Sequence, residues 1–282
     1  MSIIISPQGG MGNRLRAIVS AIAIARITCR NIYHIWISVS GNSPFPYVKA
    51  MQTISLETLF SKSIPKCPDD IIPDICFSEW LSGDYWYQYQ SSGQKLFNFK
   101  NIIRINDNAD SIIKYIIDNP KSNIMIETSL SMKMSGVHEN IWQNSIRTIY
   151  SAFVPNKKYL DISLKVPNVD YGISIRRGEF LSYFPEANQS FDDIYSWLMF
   201  IDNFVLFSDD YDFKNNIKNK LLQSGKIIYD IDRDNLEPWE QGFVEFIVLA
   251  HRCNKIFGTP SSSFAIEASK YGGKTYGTIS TI

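Results

Sequence analysis

Two adjacent arginines, Arg176 and Arg177, close the run Gly172-Ile173-Ser174-Ile175-Arg176-Arg177-Gly178-Glu179. The residues before them read as the end of an apolar strand, and neighbours on a strand point to opposite faces. One arginine can then meet a ligand while the other pairs locally, with Glu179 as the nearest partner. A guanidinium at the carboxyl end of a strand suits phosphate oxygens, which it contacts in bidentate fashion. A surface ion pair is the plainer alternative.

Two further segments have a matching character. Phe257-Gly258-Thr259-Pro260-Ser261-Ser262-Ser263-Phe264 again leaves a strand and opens a helix. Capping a helix needs one hydroxyl, whereas three beside free amides suit a diphosphate. Near the start, Gly9-Gly10-Met11-Gly12-Asn13-Arg14 lies between a strand and a helix, where the glycines permit a tight turn and close backbone approach. It is neither GxGxxG nor a phosphate loop ending in Gly-Lys-Ser/Thr. Weaker signals are Asp230-Ile231-Asp232, a DxD pattern of the kind metal-dependent transferases use, and Ser208-Asp209-Asp210, which reads as a helix cap. Asn188-Gln189-Ser190 is a glycosylation sequon, which carries no weight without a secretory signal.

In this order the three motifs resemble those of the GDP-fucose-dependent fucosyltransferase superfamily, which includes α1,2-, α1,6- and protein O-fucosyltransferases. That group carries a G-x-G-N-type turn, an H-x-R-R-x-D motif and a late G-x-x-x-S-S-F motif, seen here at residues 10–13, 174–179 and 258–264. The resemblance implies a GT-B fold of two Rossmann-like domains. It implies an inverting, metal-independent transfer of fucose from GDP-fucose to a glycan hydroxyl, with no cofactor. By the same resemblance Arg176 holds the donor diphosphate and stabilises the leaving group, and Arg177 orders its loop. Ser262 and Ser263 meet the phosphates and Phe264 packs near the nucleoside. Gly10, Gly12, Asn13 and Arg14 face sugar or diphosphate, with Asn13 also counted in the catalytic set. Glu245 lies one position from a carboxylate that recognises guanine. Ser174 stands where the family has histidine and Glu179 where it has aspartate. Glu179 and Glu186 are the nearby carboxylates able to take the acceptor proton. Two other readings stand beside this one: a metal-dependent transferase built on Asp230 and Asp232, and a nucleotide- or glycan-binding relative without chemistry.

Elements must position these groups. Residues 2–6, 13–30 and 33–39 read as a βαβ opening. Prolines at 44, 46, 65, 68 and 73 blur the pattern over residues 40–94. Within it, Tyr85-Trp86-Tyr87-Gln88-Tyr89 reads as one arm of a hairpin. Strands are expected at 102–105 and 124–127, and helices at 111–118 and 139–153. The second half alternates cleanly, with strands at 170–175, 203–207, 226–231, 255–258 and 274–276. Its helices fall at 191–200, 212–223, 237–252 and 262–271. Such alternation predicts parallel sheets with helices on both faces. The expected domains are 1–155 on the acceptor side and 156–282 on the donor side, joined by a polar, two-proline linker at 154–168. The ligand is expected in a cleft between the carboxyl ends of their strands.

The 282 residues carry 28 Lys plus Arg against 28 Asp plus Glu. Zero net charge argues against a nucleic-acid polymer or a polybasic membrane contact. Hydrophobic residues reach 45%, enough for sizeable cores. Four scattered cysteines and three distant histidines offer no zinc spacing and no disulfide framework. The start has no signal-peptide pattern, and the longest apolar stretch, 17–27, is broken by Ser20 and Arg26 and too short to span a bilayer. The expectation is a soluble, cytoplasmic protein.

Overall fold

The computed structural model describes residues 1–35, 55–79, 83–91, 93–105, 110–178 and 180–279, with backbone alone at 83–91, 93–101 and 183. The chain divides into two compact units, Met1–Val154 and Pro155–Ile282.

In the first unit, β1 (Ser2–Pro7) leads through Gly9 and Gly10 into α1 (Met11–Ile27) and then β2 (Asn31–His34). β1 is buried along its whole length because SIIISP lies between two parallel neighbours. After a short helix at Leu56–Leu59 and a three-residue strand at Phe60–Lys62 outside this sheet come β3 (Ile75–Ser78) and the antiparallel hairpin of β4 (Gly83–Ser91) and β5 (Gly93–Arg104). α2 (Asp110–Asp118), β6 (Ile124–Thr128) and α3 (Glu139–Ala152) complete the unit. The sheet order is β2-β1-β6-β3-β5-β4, parallel except for β4 at the edge. Ile4, Cys76, Ile102 and Met125 pack together on one face.

The second unit opens with α4 (Lys157–Leu164) and runs β7 (Val169–Ile175), α5 (Phe191–Leu198), β8 (Phe204–Ser208) and α6 (Tyr211–Gln223). It continues through β9 (Ile228–Tyr229), α7 (Pro238–Arg252), β10 (Cys253–Gly258), α8 (Ser263–Gly272) and β11 (Thr275–Thr278). All five strands are parallel in the order β9-β8-β7-β10-β11. Ile173 and Ile175 share a core with residues of α5 and α6. Gly172 faces the other way, where a Cβ would come within 2.6 Å of Leu249 on α7. Both faces are therefore covered.

Several places differ from the sequence-based expectation, among them the following. The expected linker contains α4, whose Tyr159 is buried, donates its hydroxyl to Glu240 (3.1 Å) and meets Phe243 edge-on at 5.0 Å. Lys158 pairs with the same Glu240. β3 falls in the proline-blurred stretch and was not expected. β9 is two residues long, because Asp230 turns into ion pairs instead of extending the ladder. Of the expected strand 33–39, residues 36–39 lie outside the described residues.

Candidate functional site

The strand order of the second unit reverses between β7 and β10, and ligands of such sheets bind outside the carboxyl ends at this reversal. The chain leaves β7 into Arg176 and β10 into Thr259. The two exits are laced together. Thr259 N–H donates to the Ser174 carbonyl (3.2 Å), and Arg176 N–H donates to Thr259 Oγ1 (2.8 Å). Gly258 lets α8 pack close on the end of β10, since a Cβ there would sit 2.6 Å from the Ala265 Cβ. Ser174 is buried between β8 and β10.

The adjacent arginines have different surroundings. Arg177 is tied to its own unit: Nη1 donates to the Gln189 carbonyl (2.8 Å), Nε lies 3.9 Å from Asp210, and the guanidinium stacks 4.2 Å over Phe213. Its local carboxylate is Asp210, while Glu179 lies outside the described residues. Arg176 is 19% exposed, pairs with Asp209 Oδ2 at 3.3 Å and lies 5.8 Å from the Phe180 ring. The other oxygen of Asp209 accepts the Arg177 N–H at 2.7 Å. One carboxylate thus holds the backbone of one arginine and the side chain of the other.

At the β10 exit, Ser261 adopts a left-handed φ of 64°, and the chain turns into α8 with Ser262 as its cap. Ser262 is buried, yet its hydroxyl makes no capping hydrogen bond. The first amides of α8 have no intrahelical partner and carry the positive end of the helix dipole. Ser263 opens this turn, and Phe264 packs edge-on against Phe246 at 5.6 Å.

Other candidates fall elsewhere. Glu245 is 12% exposed and bonded to Arg233 (2.7 Å). Burial pushes its carboxyl up, with Arg233 and Lys214 opposing. Asp230 accepts Lys214 (2.9 Å), Lys218 (3.4 Å) and Arg233 (2.6 Å), whereas Asp232 pairs with Lys165 (3.1 Å). The DxD pair is therefore divided between separate cations, against the metal-dependent alternative. No group of three His, Cys, Asp or Glu suited to a metal occurs among the described residues. Glu186 is exposed in a single 3₁₀ turn.

In the first unit Gly9 has φ 79°, and a Cβ would strike Asn13 Nδ2 at 2.7 Å. Gly10 caps α1, with Gly12 buried and Asn13 half-buried in its first turn. Arg14 is fully buried, its Nε donating to the Gly9 carbonyl (2.8 Å), and burial lowers its pKa to about 9. It braces the turn from inside, not from the helix mouth where the sequence reading set it. Beside this turn, Glu127 accepts Ser78 Oγ (2.5 Å) and Gln8 Nε2 (3.3 Å). Burial, aided by neighbouring Glu79 and opposed by the Ser78 hydrogen bond, pushes Glu127 up to about 7.

Sequence reasoning gave Thr259, Gln189 and Glu127 no role of their own and read Asp209 as part of a helix cap. Thr259 was visible inside the serine-rich motif, and Asp209 in a strand-end acidic pair whose second member, Asp210, caps α6 through Phe213 N–H (2.9 Å). Gln189 and Glu127 carry no local signal.

No protein-family model and no curated protein sequence matches the chain. Solved structures match its fold over nearly its full length. POFUT1 in complex with GDP aligns at TM-score 0.61 and 10% identity, covering 99% of this chain and 98% of that one. The fucosyltransferase NodZ from Bradyrhizobium aligns at 0.52 and 13%, covering 95% and 92%. Arabidopsis thaliana FUT1, as its R284K mutant with GDP, aligns at 0.55 and 12%, covering 98% and 70%. The fold is the GT-B type of these fucosyltransferases, two α/β units on largely parallel sheets.

Proposed function

We propose that the protein is an inverting, metal-independent glycosyltransferase that moves fucose from GDP-fucose to a hydroxyl of a glycan acceptor. The second unit binds the donor and the first the acceptor. The observation that carries this reading is Arg176, held by Asp209 at the β7–β10 reversal and tied through Thr259 to the serine turn opening α8. Solved structures of the same fold with GDP and GDP-fucose support it.

In this reading the diphosphate lies between the Arg176 guanidinium and the Ser262–Ser263 turn. The acceptor oxygen forms a bond to the anomeric carbon as the bond from that carbon to phosphate breaks. The electron pair goes to the phosphate oxygen, where the guanidinium and the α8 amides stabilise the growing charge. The acceptor proton passes to a carboxylate, for which Glu179 and Glu186 are the candidates from the motif loop. Arg177 and Asp209 keep Arg176 in place.

A thermal-shift comparison of GDP with UDP tests the reading. A ligand that binds only the folded state raises apparent stability, so GDP is expected to raise Tm and UDP to do so far less. No shift with GDP, together with no transfer from GDP-fucose on a glycan panel, overturns it.

A further inference from the structure

We propose that Asp209 sets the charge of the diphosphate corner, favouring the sugar-bearing donor over the nucleoside diphosphate left after transfer. The proposal rests on the donor reading of Arg176 given above. Asp209 follows the carboxyl end of β8, the strand beside β7, and its carboxylate lies against residues 176–178. Oδ1 accepts the Arg177 N–H at 2.7 Å, and Oδ2 lies 3.3 Å from Arg176 Nη1. Gly178 leaves room for it, since a Cβ there would come within 3.2 Å of Oδ2.

The two oxygens differ in what they require of the residue. Holding the Arg177 N–H needs an oxygen but no charge, and an amide or a hydroxyl would serve. The contact to Arg176 is longer than the ~2.7–2.9 Å of a charge-assisted hydrogen bond, so it acts through charge more than through bond geometry. The start of the loop is fixed separately, by the Arg176 N–H on Thr259 Oγ1 (2.8 Å). What only a carboxylate adds is a fixed negative charge beside the guanidinium. Both side chains are 19% exposed, so water screens the charge only in part.

That charge bears on the reaction through the balance of the transfer. In the donor both phosphates are bridged, and each carries one negative charge. When the bond from the anomeric carbon to the phosphate oxygen breaks, its electron pair stays on that oxygen and the acceptor proton goes to a carboxylate. The product diphosphate then carries one more negative charge, which it keeps above about pH 6, where a terminal phosphate loses its last proton. A phosphate oxygen bonded to Arg176 Nη1 lies no more than roughly 6 Å from Asp209 Oδ2, given the 3.3 Å contact. Like charges at that range repel where water is partly excluded, so Asp209 opposes the product more than the donor.

The test compares the wild type with Asp209→Asn, which keeps an oxygen for the Arg177 N–H and removes the charge. Calorimetry at pH 8 gives Kd for GDP and for GDP-fucose, and Tm checks folding. Asp209→Asn is expected to bind GDP about three- to tenfold more tightly and GDP-fucose by a smaller factor, so the ratio of the two constants shifts toward product. Product inhibition by GDP strengthens in step. Asp209→Ser, a second neutral variant that supplies an oxygen, is expected to shift the ratio the same way and keeps the test decisive should the first fail to fold. Asp210→Asn removes the neighbouring charge, which faces Arg177 instead, and is expected to shift the ratio less. A carboxylate that only holds Arg176 in place predicts the opposite sign, with both ligands weakened in Asp209→Asn. That result, an unchanged ratio, or an equal shift in Asp210→Asn overturns the proposal and leaves the donor reading standing. Absence of GDP binding in the wild type overturns both.

Discussion

Arg176 and Arg177 share a residue type and a peptide bond but not a task. Stacking on Phe213 and a hydrogen bond to Gln189 commit Arg177 to its loop, while Arg176 pairs with Asp209 and lies near the Phe180 ring. Replacing Arg176 with alanine is expected to lower kcat for fucose transfer by about 100- to 1,000-fold, the scale for losing one charged stabiliser of a leaving group. Near-wild-type turnover in that variant would remove Arg176 from the mechanism. Thr259 belongs to the same scale. Thr259→Val keeps the shape but leaves the Arg176 N–H without its acceptor, at a cost of about 1–3 kcal/mol in urea unfolding. Activity is expected to fall with it, because that N–H sets where the arginine begins. The arginine pair was legible from two cations after an apolar strand. Which partners each of them takes was not, since Phe213 and Gln189 meet Arg177 only in three dimensions.

At the scale of elements, most strands of the second unit were legible because each is a short apolar run bounded by turn residues. α4 was not legible, because its buried face is Tyr159 and Ser163, one turn apart, which makes no apolar stripe to read. β3 was hidden by its four-residue length and by the prolines upstream of it. The neighbours Gly272 and Gly273 illustrate two different constraints at the end of α8. A Cβ on Gly272 would lie 2.0 Å from the Ala250 carbonyl oxygen of α7, and backbone cannot step aside cheaply. Gly273 has φ 62° and open space around it. Gly272→Ala is therefore expected to cost roughly 3 kcal/mol by overpacking and to weaken GDP binding, as α8 shifts with its serine turn. Gly273→Ala should cost about 1–2 kcal/mol through conformation alone, with GDP affinity retained. Chemical denaturation alongside calorimetry separates the two.

For the molecule as a whole, stability carries a pH dependence from one buried acid. Glu127 holds its proton up to about 7 in the folded chain, against 4.5 as the ordinary value. Between those limits the folded state binds a proton that the unfolded state releases, so stability is lost as pH rises through that window. The contribution is fully present below about pH 4.5 and gone above about pH 7, with an upper bound of about 3 kcal/mol. Glu127→Gln cannot titrate. The stability gap between variant and wild type is expected to move in the variant's favour from pH 5 to pH 8. A gap independent of pH would show that Glu127 is already ionised throughout. Nothing in the local sequence marks this carboxyl, because Ser78 and Gln8 reach it from segments distant along the chain.

One contact of the arginine loop also orders events in time. Gln189, whose carbonyl seats Arg177, donates its side-chain amide to the Ile279 carbonyl at 2.6 Å, and Ile279 N–H returns to Gly258 (3.0 Å). Those partners stand 90 residues apart in the chain. A ribosome adding roughly 5–20 residues per second makes the arginines many seconds before it makes the residue that completes their support. The corner at the β7 and β10 exits therefore closes fully only after Ile279 has been made, however early the arginines emerge.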